Sequence, residues 1–360
     1  MRGKTFRFRF VLQHLGNTRS IWEQSPLAAV SSVSTPPHEM PEPTPLTLAL
    51  DWTPNTNHTG FYVAQANGWY REAGLDVRIE HPGDDNYATT PARKVAQGKA
   101  DLAIAPSESV LSYRTTDEPV PLVAIAAVLA RDASAVVTLA SSGLDRPSAL
   151  AGRTYASYQA RFEDAIVQSM VRVDGGGSGD VQICYPPKLG IWDTLLQGDA
   201  DATWIFDPWE GVQADRAGVD LNRFVLSDYG IPYGYSPVLV ARADRVEQKA
   251  DAIRAFLSAS RRGFTFASKE PDAAADLLIQ EADHSTLADA DFVRQSQHII
   301  APYYADDGKP WGEMRVNVWE SFVGWIADHG LIVDTSGTAI AAPDVSTLFT
   351  NDLLSASDSA

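Results

Sequence analysis

Short apolar runs alternate with amphipathic segments along the chain, beginning near Leu46. Apolar runs of about four to eight residues between turn signals are typical of buried strands, and a period near 3.6 residues indicates a helix. These patterns predict strands over 46–50, 75–80, 100–105, 122–129, 135–139, 181–185, 202–206 and 238–241. The segment 150–155 is predicted to lead into one more strand. They predict helices over 60–67, 163–173, 252–268, 271–281 and 316–329, with shorter ones starting at 93, 107 and 192. Such alternation favours parallel or mixed sheets with helices on both faces.

The strand and helix cycle occurs twice, which predicts a two-lobed α/β clamshell whose lobes are each a mixed sheet flanked by helices. We expect 45–130 plus 238–334 to form lobe 1 and 131–237 to form lobe 2. The Ser- and Asp-rich tail, 335–360, is expected to fray. Ligands of open α/β sheets bind beyond the carboxyl ends of the strands, so both lobes would offer those ends to one cleft.

The N-terminal segment 1–44 differs from the rest of the chain. It carries five basic and three acidic residues, a net charge of +2, and its first 22 residues contain no acid. Proline-rich stretches at 31–37 and 41–45 are typical of linkers. We therefore expect a disordered or targeting extension, with Met40 as an alternative start, and a cytoplasmic protein. A mitochondrial location, or an extracytoplasmic one if this segment is misassigned, is the alternative.

The composition of the chain argues against nucleic acid, a membrane or a metal ion as a partner. The 360 residues carry a net charge of −17, which disfavours nucleic acid as a partner. We expect no membrane insertion, because no run of about 18 apolar residues occurs. Cys184 is the single cysteine, so the chain can form neither an intramolecular disulfide nor a thiolate metal site. The seven histidines show no metal-ligand spacing, and we predict no metal site.

Common catalytic motifs do not occur in the sequence. It contains neither G-x-S-x-G nor H-E-x-x-H, and the glycine cluster at 175–179 lacks the lysine of a phosphate-binding loop. That cluster is interpreted as a flexible turn. We therefore assign no catalytic residue.

The segment 51–60 is the richest in groups that recognise a heterocycle, and it joins a predicted strand to a predicted helix. Trp52 offers a flat face for stacking, and Asp51 can accept hydrogen bonds from an amine or a ring N–H. Asn55 and His58 can each donate or accept. The alternative is structural, with a core tryptophan and an asparagine that caps the helix.

The next strand-to-helix junction carries Ser107 and Glu108. Ser107 can cap the helix, whose backbone N–H groups would suit an anion. Glu108 is either an acid favoured by the helix dipole or an acceptor for an aminopyrimidine.

Two further junctions add aromatic and acidic groups. Tyr158 and Glu163 flank a predicted helix start that could hold a phosphate. Asp207 and Trp209 follow the strand over 202–206, and Tyr235 lies in the return passage to lobe 1. Aromatic residues at several junctions favour a flat heterocycle over a sugar, an amino acid or a metal ion.

Several of these segments together resemble a known family. The residues over 48–64 and 68–77 look like the opening of the thiamine-pyrimidine family, which joins formylaminopyrimidine-binding proteins to hydroxymethylpyrimidine phosphate synthases. The resemblance continues at 98–102, 107–109, 204–206, 218–221, 236–239 and 311–313, and covers roughly 46–334. It implies a type II periplasmic-binding-protein fold that holds a thiamine pyrimidine precursor, or pyridoxal phosphate, in its cleft.

The resemblance also implies roles for particular residues. Asp51 and Trp52 match the pair that contacts the ring after the first strand, and Glu108 sits at the second junction. The segment 158–163 matches the one that holds the ring or its phosphate.

The chain departs from the synthase branch where the chemistry is most demanding. The synthase holds pyridoxal phosphate on a lysine and consumes one of its own histidines, but those positions are Ala105 and Ser109 here. The cysteine-rich iron motif is also missing from 231–236. The chain therefore resembles the binding branch more closely, and we expect that it is not an enzyme.

Three functions remain open. The first is a binding protein for an aminopyrimidine precursor in thiamine biosynthesis or salvage. It would need no cofactor, and it would work with an ABC permease if exported or as a cytosolic carrier. The second is a synthase-like enzyme that uses pyridoxal phosphate. The third is a binding protein for another flat ligand, such as a flavin or a sulfonate.

Overall fold

The computed structural model describes residues 42–177, 180–186, 191–306, 308–334 and 336–354. Strands β1–β10 span Thr44–Ala49, Leu75–Glu80, Leu102–Ala105, Leu122–Ala127, Ser134–Leu139, Thr154–Ala156, Gln182–Cys184, Ala202–Phe206, Leu221–Phe224 and Val238–Arg242. Helices α1–α12 span Thr59–Ala66, Trp69–Glu72, Pro91–Ala96, Ser107–Arg114, Glu163–Val173, Ile191–Leu196, Val212–Ala217, Ala243–Gln248, Ala250–Lys269, Pro271–Ala282, Ala290–Ile300 and Val316–Asp328. Most of the predicted segments are therefore present, with ends shifted by one or two residues.

The strands form two five-stranded sheets. Sheet A has the order β2-β1-β3-β10-β4, and sheet B has the order β7-β6-β8-β5-β9. Strand β10 runs antiparallel to β3 and β4, and β5 runs antiparallel to β8 and β9, so both sheets are mixed as predicted. The chain leaves sheet A after β4, builds sheet B, and returns as β10. We call the part around sheet A lobe 1 and the part around sheet B lobe 2.

Helix packing behind sheet A fixes the loop that follows β1. Helix α1 lies so close to α9 that a Cβ atom on Gly263 would be 1.9 Å from the carbonyl oxygen of Gly60. Only glycine fits such an approach of two backbones. Phe61 packs edge-on to Phe264 beside this contact, with ring centroids 4.9 Å apart. The loop between β1 and α1 is therefore held on a rigid, buried support.

The C-terminal segment corrects one expectation. Residues 335–360 were expected to fray, but the part that is described packs against lobe 1. The backbone around Phe349 pairs with Ala124 of strand β4, and the Phe349 ring stacks on Trp319 with centroids 5.6 Å apart. Leu348 is fully buried. Apolar residues before the polar end cover the edge of sheet A, and Ser/Asp content alone did not reveal them.

Three further predictions concern the N-terminal segment, the glycine cluster at 175–179 and membrane insertion. Most of the N-terminal extension, 1–41, lies outside the described residues, and β1 begins at Thr44. Gly175 has a φ of +87° after α5, as in a turn, while 178–179 lie outside the described residues. Across the part of the chain that is described, no helix combines the length and apolar character needed to cross a bilayer.

Candidate functional site

A cavity of about 230 Å3 lies where loops from the two lobes face each other. Seven of the residues predicted from sequence line it: Asp51, Trp52, Asn55, Glu108, Tyr158, Glu163 and Trp209. The other lining residues are Asn57, Pro106, Ser134, Ala160, Trp204, Ile205, Phe206, Glu210, Tyr233 and Ser236. The carboxyl ends of β1, β3, β6 and β8 thus contribute to one cavity, as the position rule for open sheets predicts.

The loop between β1 and α1 presents Asp51 to the cavity. The Asn55 side chain accepts a hydrogen bond from the Asn57 N–H at 2.8 Å, which caps the short turn before α1. The Asn55 N–H donates to His58 Nδ1 at 3.3 Å, so the proton of the imidazole is on Nε2. That Nε2–H donates to Asp51 Oδ1 at 2.7 Å. His58 is fully buried behind Asp51 and does not line the cavity, so it orients the acid instead of touching a ligand.

Aromatic rings from both lobes meet at one wall of the cavity. Trp52 of lobe 1 lies edge-on to Tyr158 of lobe 2, with ring centroids 6.5 Å apart and planes at 83°. Tyr87 packs on another side of Trp52 at 5.9 Å. On the lobe 2 side, Trp204 and Tyr233 contact each other at 5.3 Å. The arrangement gives the cavity flat apolar walls on two sides.

Glu108 contributes a buried carboxyl group at the start of α4. Its side chain is only 4% exposed, and its Oε2 atom has no hydrogen-bond partner. Burial, and then the nearby Glu163, raise the pKa of this carboxyl to about 8. Glu108 is therefore largely protonated near neutral pH while the cavity is empty, and it retains an unused acceptor.

Ser107 does not have the role expected from its position. Pro106 is the N-cap residue of α4, and no side chain caps this helix. Ser107 is buried, its backbone N–H donates to the Tyr235 carbonyl at 3.0 Å, and it does not line the cavity. Pro106 holds an extended backbone at the cap (φ −60°, ψ 149°), and its ring accepts no hydrogen bond.

The Glu163 side chain occupies the predicted phosphate site before α5. Its carboxylate accepts hydrogen bonds from the Tyr155 hydroxyl at 2.7 Å, the Tyr158 N–H at 3.0 Å and the Ala160 N–H at 3.2 Å. These backbone N–H groups are the ones that a phosphate would need before α5. Because the protein's own carboxylate already occupies them, the loop is built to hold an internal anion. Burial still raises the pKa of Glu163, and these hydrogen bonds oppose that rise.

In the segment after β8, the acid that lines the cavity is Glu210 and not the predicted Asp207. Asp207 does not line the cavity; its carboxylate instead pairs with Arg223 at 2.6 Å on a partly exposed surface. Glu210 lines the cavity, and its Oε2 accepts from the Phe206 N–H at 3.0 Å. Burial raises the pKa of Glu210 to about 7, and Asp51 and Asp207 add to this effect. Both acids lie in a π-helical turn over Asp207–Gly211, in which Glu210 is buried.

Trp209 and Tyr235, the remaining predicted aromatic residues, differ in position. Trp209 lines the cavity and packs against Phe292 of lobe 1 with centroids 4.4 Å apart. Tyr235 is buried in the core of lobe 1, where its hydroxyl accepts from the Arg315 N–H at 2.8 Å. Tyr233, from the same passage, lines the cavity instead. Both tyrosines lie in the same short passage, and no local signal in the sequence separates them.

The lining of the cavity is rich in carboxyl groups. Four carboxyl groups line it, from Asp51, Glu108, Glu163 and Glu210, and no lysine or arginine belongs to the lining set. A Schiff base with pyridoxal phosphate needs a lysine amine, and Ala105, at the position where the synthase resemblance places it, is a buried residue at the end of β3. The residues that line the cavity therefore offer no amine for a Schiff base with that cofactor. Among the described residues, no group of three or more His, Cys, Asp or Glu side chains could hold a metal ion.

The chain is similar in sequence or in fold to several known proteins. The formylaminopyrimidine-binding protein of Halalkalibacterium halodurans is 28% identical over 286 residues, which cover 78% of this chain and 84% of that protein. The riboflavin-binding protein RibY of Chloroflexus aurantiacus is 23% identical over 282 residues, 78% of each chain. The ligand-binding component of an ABC-type import system from Staphylococcus aureus shares the fold, with a TM-score of 0.63 at 12% identity over 86% of this chain and 97% of that one.

A family model extends this likeness over most of the chain. The model described as "NMT1/THI5 like" matches residues 55–274, which include the lining residues from Asn55 to Ser236. The two mixed sheets agree with the fold of periplasmic binding proteins, since the periplasmic nitrate-binding protein NrtA from Synechocystis PCC 6803 matches with a TM-score of 0.63 at 13% identity over 87% of each chain. The chain therefore belongs to the NMT1/THI5-like family.

Proposed function

We propose that this protein binds a thiamine pyrimidine precursor, of the formylaminopyrimidine or hydroxymethylpyrimidine type, in the cavity between its lobes. The observation that carries the proposal is one cavity in which the rings of Trp52 and Tyr158 meet across the lobes beside the buried, unpartnered carboxyl of Glu108. Such a cavity combines a stacking surface with a directional polar group, and those are the two features by which proteins recognise a planar nitrogen heterocycle.

The edge of a 4-aminopyrimidine complements a carboxyl group. It presents an amino donor next to a ring-nitrogen acceptor, and a protonated carboxyl presents an O–H donor next to a carbonyl acceptor. Glu108, with its pKa raised to about 8, can supply both. Asp51, held by His58 at 2.7 Å, is an oriented acceptor for a further donor of the ligand. Trp52 then supplies the surface on which the ring stacks.

Cavity size favours a single ring over a flavin. At about 230 Å3 the cavity lies below the range of about 300–1,000 Å3 that is typical for drug-sized ligands. A substituted pyrimidine needs less room than the three fused rings and sugar chain of riboflavin.

We infer that the protein binds its ligand without changing it and without a cofactor. Ala105 and Ser109 cannot provide the amine and the imidazole that the synthase reaction requires. The four lining carboxyls and the internal Glu163 contacts also oppose a phosphate such as that of pyridoxal phosphate. The fold shared with an ABC-type import component supports a permease as the partner if the protein is exported.

A melting-temperature panel tests this function. The purified protein is heated with 4-amino-5-hydroxymethyl-2-methylpyrimidine, its N-formyl-aminomethyl analogue, riboflavin or pyridoxal phosphate. A ligand that binds only the folded state raises Tm with concentration. We expect a rise with one or both pyrimidines only, and no absorbance band of a Schiff base with pyridoxal phosphate. A rise with riboflavin alone would support the flat-ligand alternative, and a borohydride-sensitive band would support the enzyme.

A further inference from the structure

The turn between β2 and α3 holds two consecutive residues in a backbone conformation that most side chains disfavour. Asn86 has a φ of +54° and Tyr87 has a φ of +61°. Asparagine adopts this left-handed region fairly often, but a bulky residue such as tyrosine is strained there. Strained residues persist where the surrounding structure fixes them, and they cluster at functional sites. The backbone at Tyr87 therefore costs free energy that a glycine would not.

Contacts at both ends of the turn fix this backbone. The Tyr87 N–H donates to the Pro82 carbonyl at 2.8 Å. Asp85 pairs at 3.2 Å with Lys94, a buried residue of α3, and Lys94 also lies 3.8 Å from the carboxylate of Glu80 at the end of β2. The turn is thus held to the strand before it and to the helix after it, so the side chain of Tyr87 has a defined position.

That position brings the Tyr87 ring against Trp52. The two ring centroids lie 5.9 Å apart with their planes at 60°, a separation and tilt at which aromatic rings attract each other. Trp52 lines the cavity, whereas Tyr87 is 49% exposed and does not belong to the lining residues. Tyr87 can therefore hold the Trp52 ring without taking up space in the cavity.

Trp52 has reason to need such a support. Its side chain is only partly buried, and it lies in the loop between β1 and α1 instead of on a strand or a helix. Its other aromatic contact, Tyr158, comes from lobe 2, so that contact depends on how the lobes approach each other. Tyr87 belongs to lobe 1 and contacts Trp52 within the same lobe.

We propose that Tyr87 is a positioning residue, which holds the Trp52 ring in the orientation that stacks on a pyrimidine before the ligand arrives. This inference rests on the proposed function and adds to it a residue that acts through Trp52. A ring that is already oriented loses less freedom when the ligand binds, so the complex is tighter. The strained backbone at 86–87 is the structural cost of that placement.

Substitutions at position 87 separate the ring from the backbone. Tyr87→Ala and Tyr87→Gly both remove the ring, but only glycine adopts a φ of +61° without strain. Calorimetry on the full chain uses 4-amino-5-hydroxymethyl-2-methylpyrimidine or its N-formyl-aminomethyl analogue, whichever raises Tm more. We expect both variants to lose the same affinity, about 3- to 10-fold, as for one aromatic contact. Tyr87→Phe keeps the ring and should bind like wild type.

Stability should follow the backbone and not the ring. In thermal melts without ligand, Tyr87→Gly should have a Tm about 1–3 °C above that of Tyr87→Ala, because alanine is strained at this φ and glycine is not. A purely structural role would make affinity and stability change together. The proposal instead expects equal affinities in two variants of unequal stability.

Two controls assign the effect to Trp52. In a Trp52→Ala background, Tyr87→Ala should cause no further loss of affinity, because the ring through which Tyr87 acts is already gone. Tyr185 is 51% exposed and lies outside the cavity lining, so Tyr185→Ala should leave affinity unchanged.

The variants also show which claim fails. Wild-type affinity in Tyr87→Ala would overturn the inference while the proposed function stands. Tighter binding by Tyr87→Gly than by Tyr87→Ala, equal Tm values of these two variants, or the full loss of affinity from Tyr87→Ala in the Trp52→Ala background would also overturn it. Binding of neither pyrimidine by the wild type would overturn the proposed function as well.

Discussion

Trp52 and Tyr158 meet edge-on with ring centroids 6.5 Å apart, although they follow strands of different sheets. Trp52 comes after β1 in lobe 1, and Tyr158 comes after β6 in lobe 2. Tyr158 is 40% exposed and lies on the cavity. A ligand that contacts both rings would therefore bind both lobes at once, and its affinity would depend on how the lobes approach each other.

Removal of the Trp52 ring should weaken pyrimidine binding. We expect Trp52→Ala to cost about 1–3 kcal/mol of binding free energy, the scale of a buried aromatic contact. Trp52→Phe keeps a flat face and should retain most of the affinity. Calorimetry with the same pyrimidine measures both variants. Unchanged affinity in Trp52→Ala would contradict the assignment of this ring to ligand binding.

His58 should act on the ligand through Asp51. Because His58 Nε2–H holds Asp51 Oδ1 at 2.7 Å, His58→Ala should lower affinity about tenfold although His58 does not line the cavity. His58→Gln restores a donor and should recover part of the loss. A double-mutant cycle with Asp51→Asn separates this role from a general loss of packing. Fully additive effects of the two substitutions on binding would show that His58 does not position Asp51.

The ligand-free protein should become less stable as the pH rises toward 8. The folded-state pKa values of Glu108 and Glu210 are about 8 and about 7, above their ordinary value of 4.5. Between about pH 5 and about pH 8 these groups hold protons that the unfolded chain has released, so their contribution to the free energy of unfolding falls as the pH rises.

Denaturant titrations of wild type and Glu108→Gln measure this contribution. The glutamine does not ionise, so the variant should gain stability relative to wild type as the pH increases over that window. A difference between the two proteins that is constant with pH, or that changes in the opposite direction, would contradict the elevated pKa of Glu108.

Arg161 should stabilise the contact of the two lobes. From lobe 2 its guanidinium donates to the Ser112 carbonyl at 2.9 Å and to the Thr115 hydroxyl at 2.7 Å in lobe 1. These groups lie at the C-terminal end of α4, where a cation is favoured. We expect Arg161→Ala to raise Kd about tenfold, mainly through faster dissociation.

A second pair between the lobes provides the control. Arg216 pairs with Asp289 at 2.6 Å, but both side chains are exposed. Exposed ion pairs contribute about 0–1 kcal/mol, so Arg216→Ala should change Kd by less than about fivefold. Stopped-flow dissociation rates compare the two variants. An equal effect of both, or a larger effect of Arg216→Ala, would contradict the role given to Arg161.

The sequence predicted the fold and seven of the seventeen residues that line the cavity, for a reason that particular residues illustrate. Asp51, Trp52 and Glu108 directly follow buried strands, and the rule that loops after parallel strands share one edge was enough to bring them together. Tyr158 and Glu163 followed from the same rule in lobe 2. Junctions between regular elements are therefore the part of a site that pattern reasoning finds.

The missed residues depend on geometry that no local pattern encodes. Glu210 lines the cavity from a π-helical turn, and the sequence pattern predicted no such turn after β8. Tyr233 lines the cavity and Tyr235 the core because of the path of the return passage. The amides before α5 were predicted to hold a phosphate, but they donate to the carboxylate of Glu163 of the same chain. Such assignments require the tertiary structure.

A crystal structure of the protein with 4-amino-5-hydroxymethyl-2-methylpyrimidine tests the central claim most directly. We predict one pyrimidine in the cavity, with its ring within about 4 Å of the Trp52 side chain and a nitrogen within hydrogen-bond distance of Glu108. A pyrimidine bound elsewhere on the chain, or one in the cavity that touches neither Trp52 nor Glu108, would contradict it.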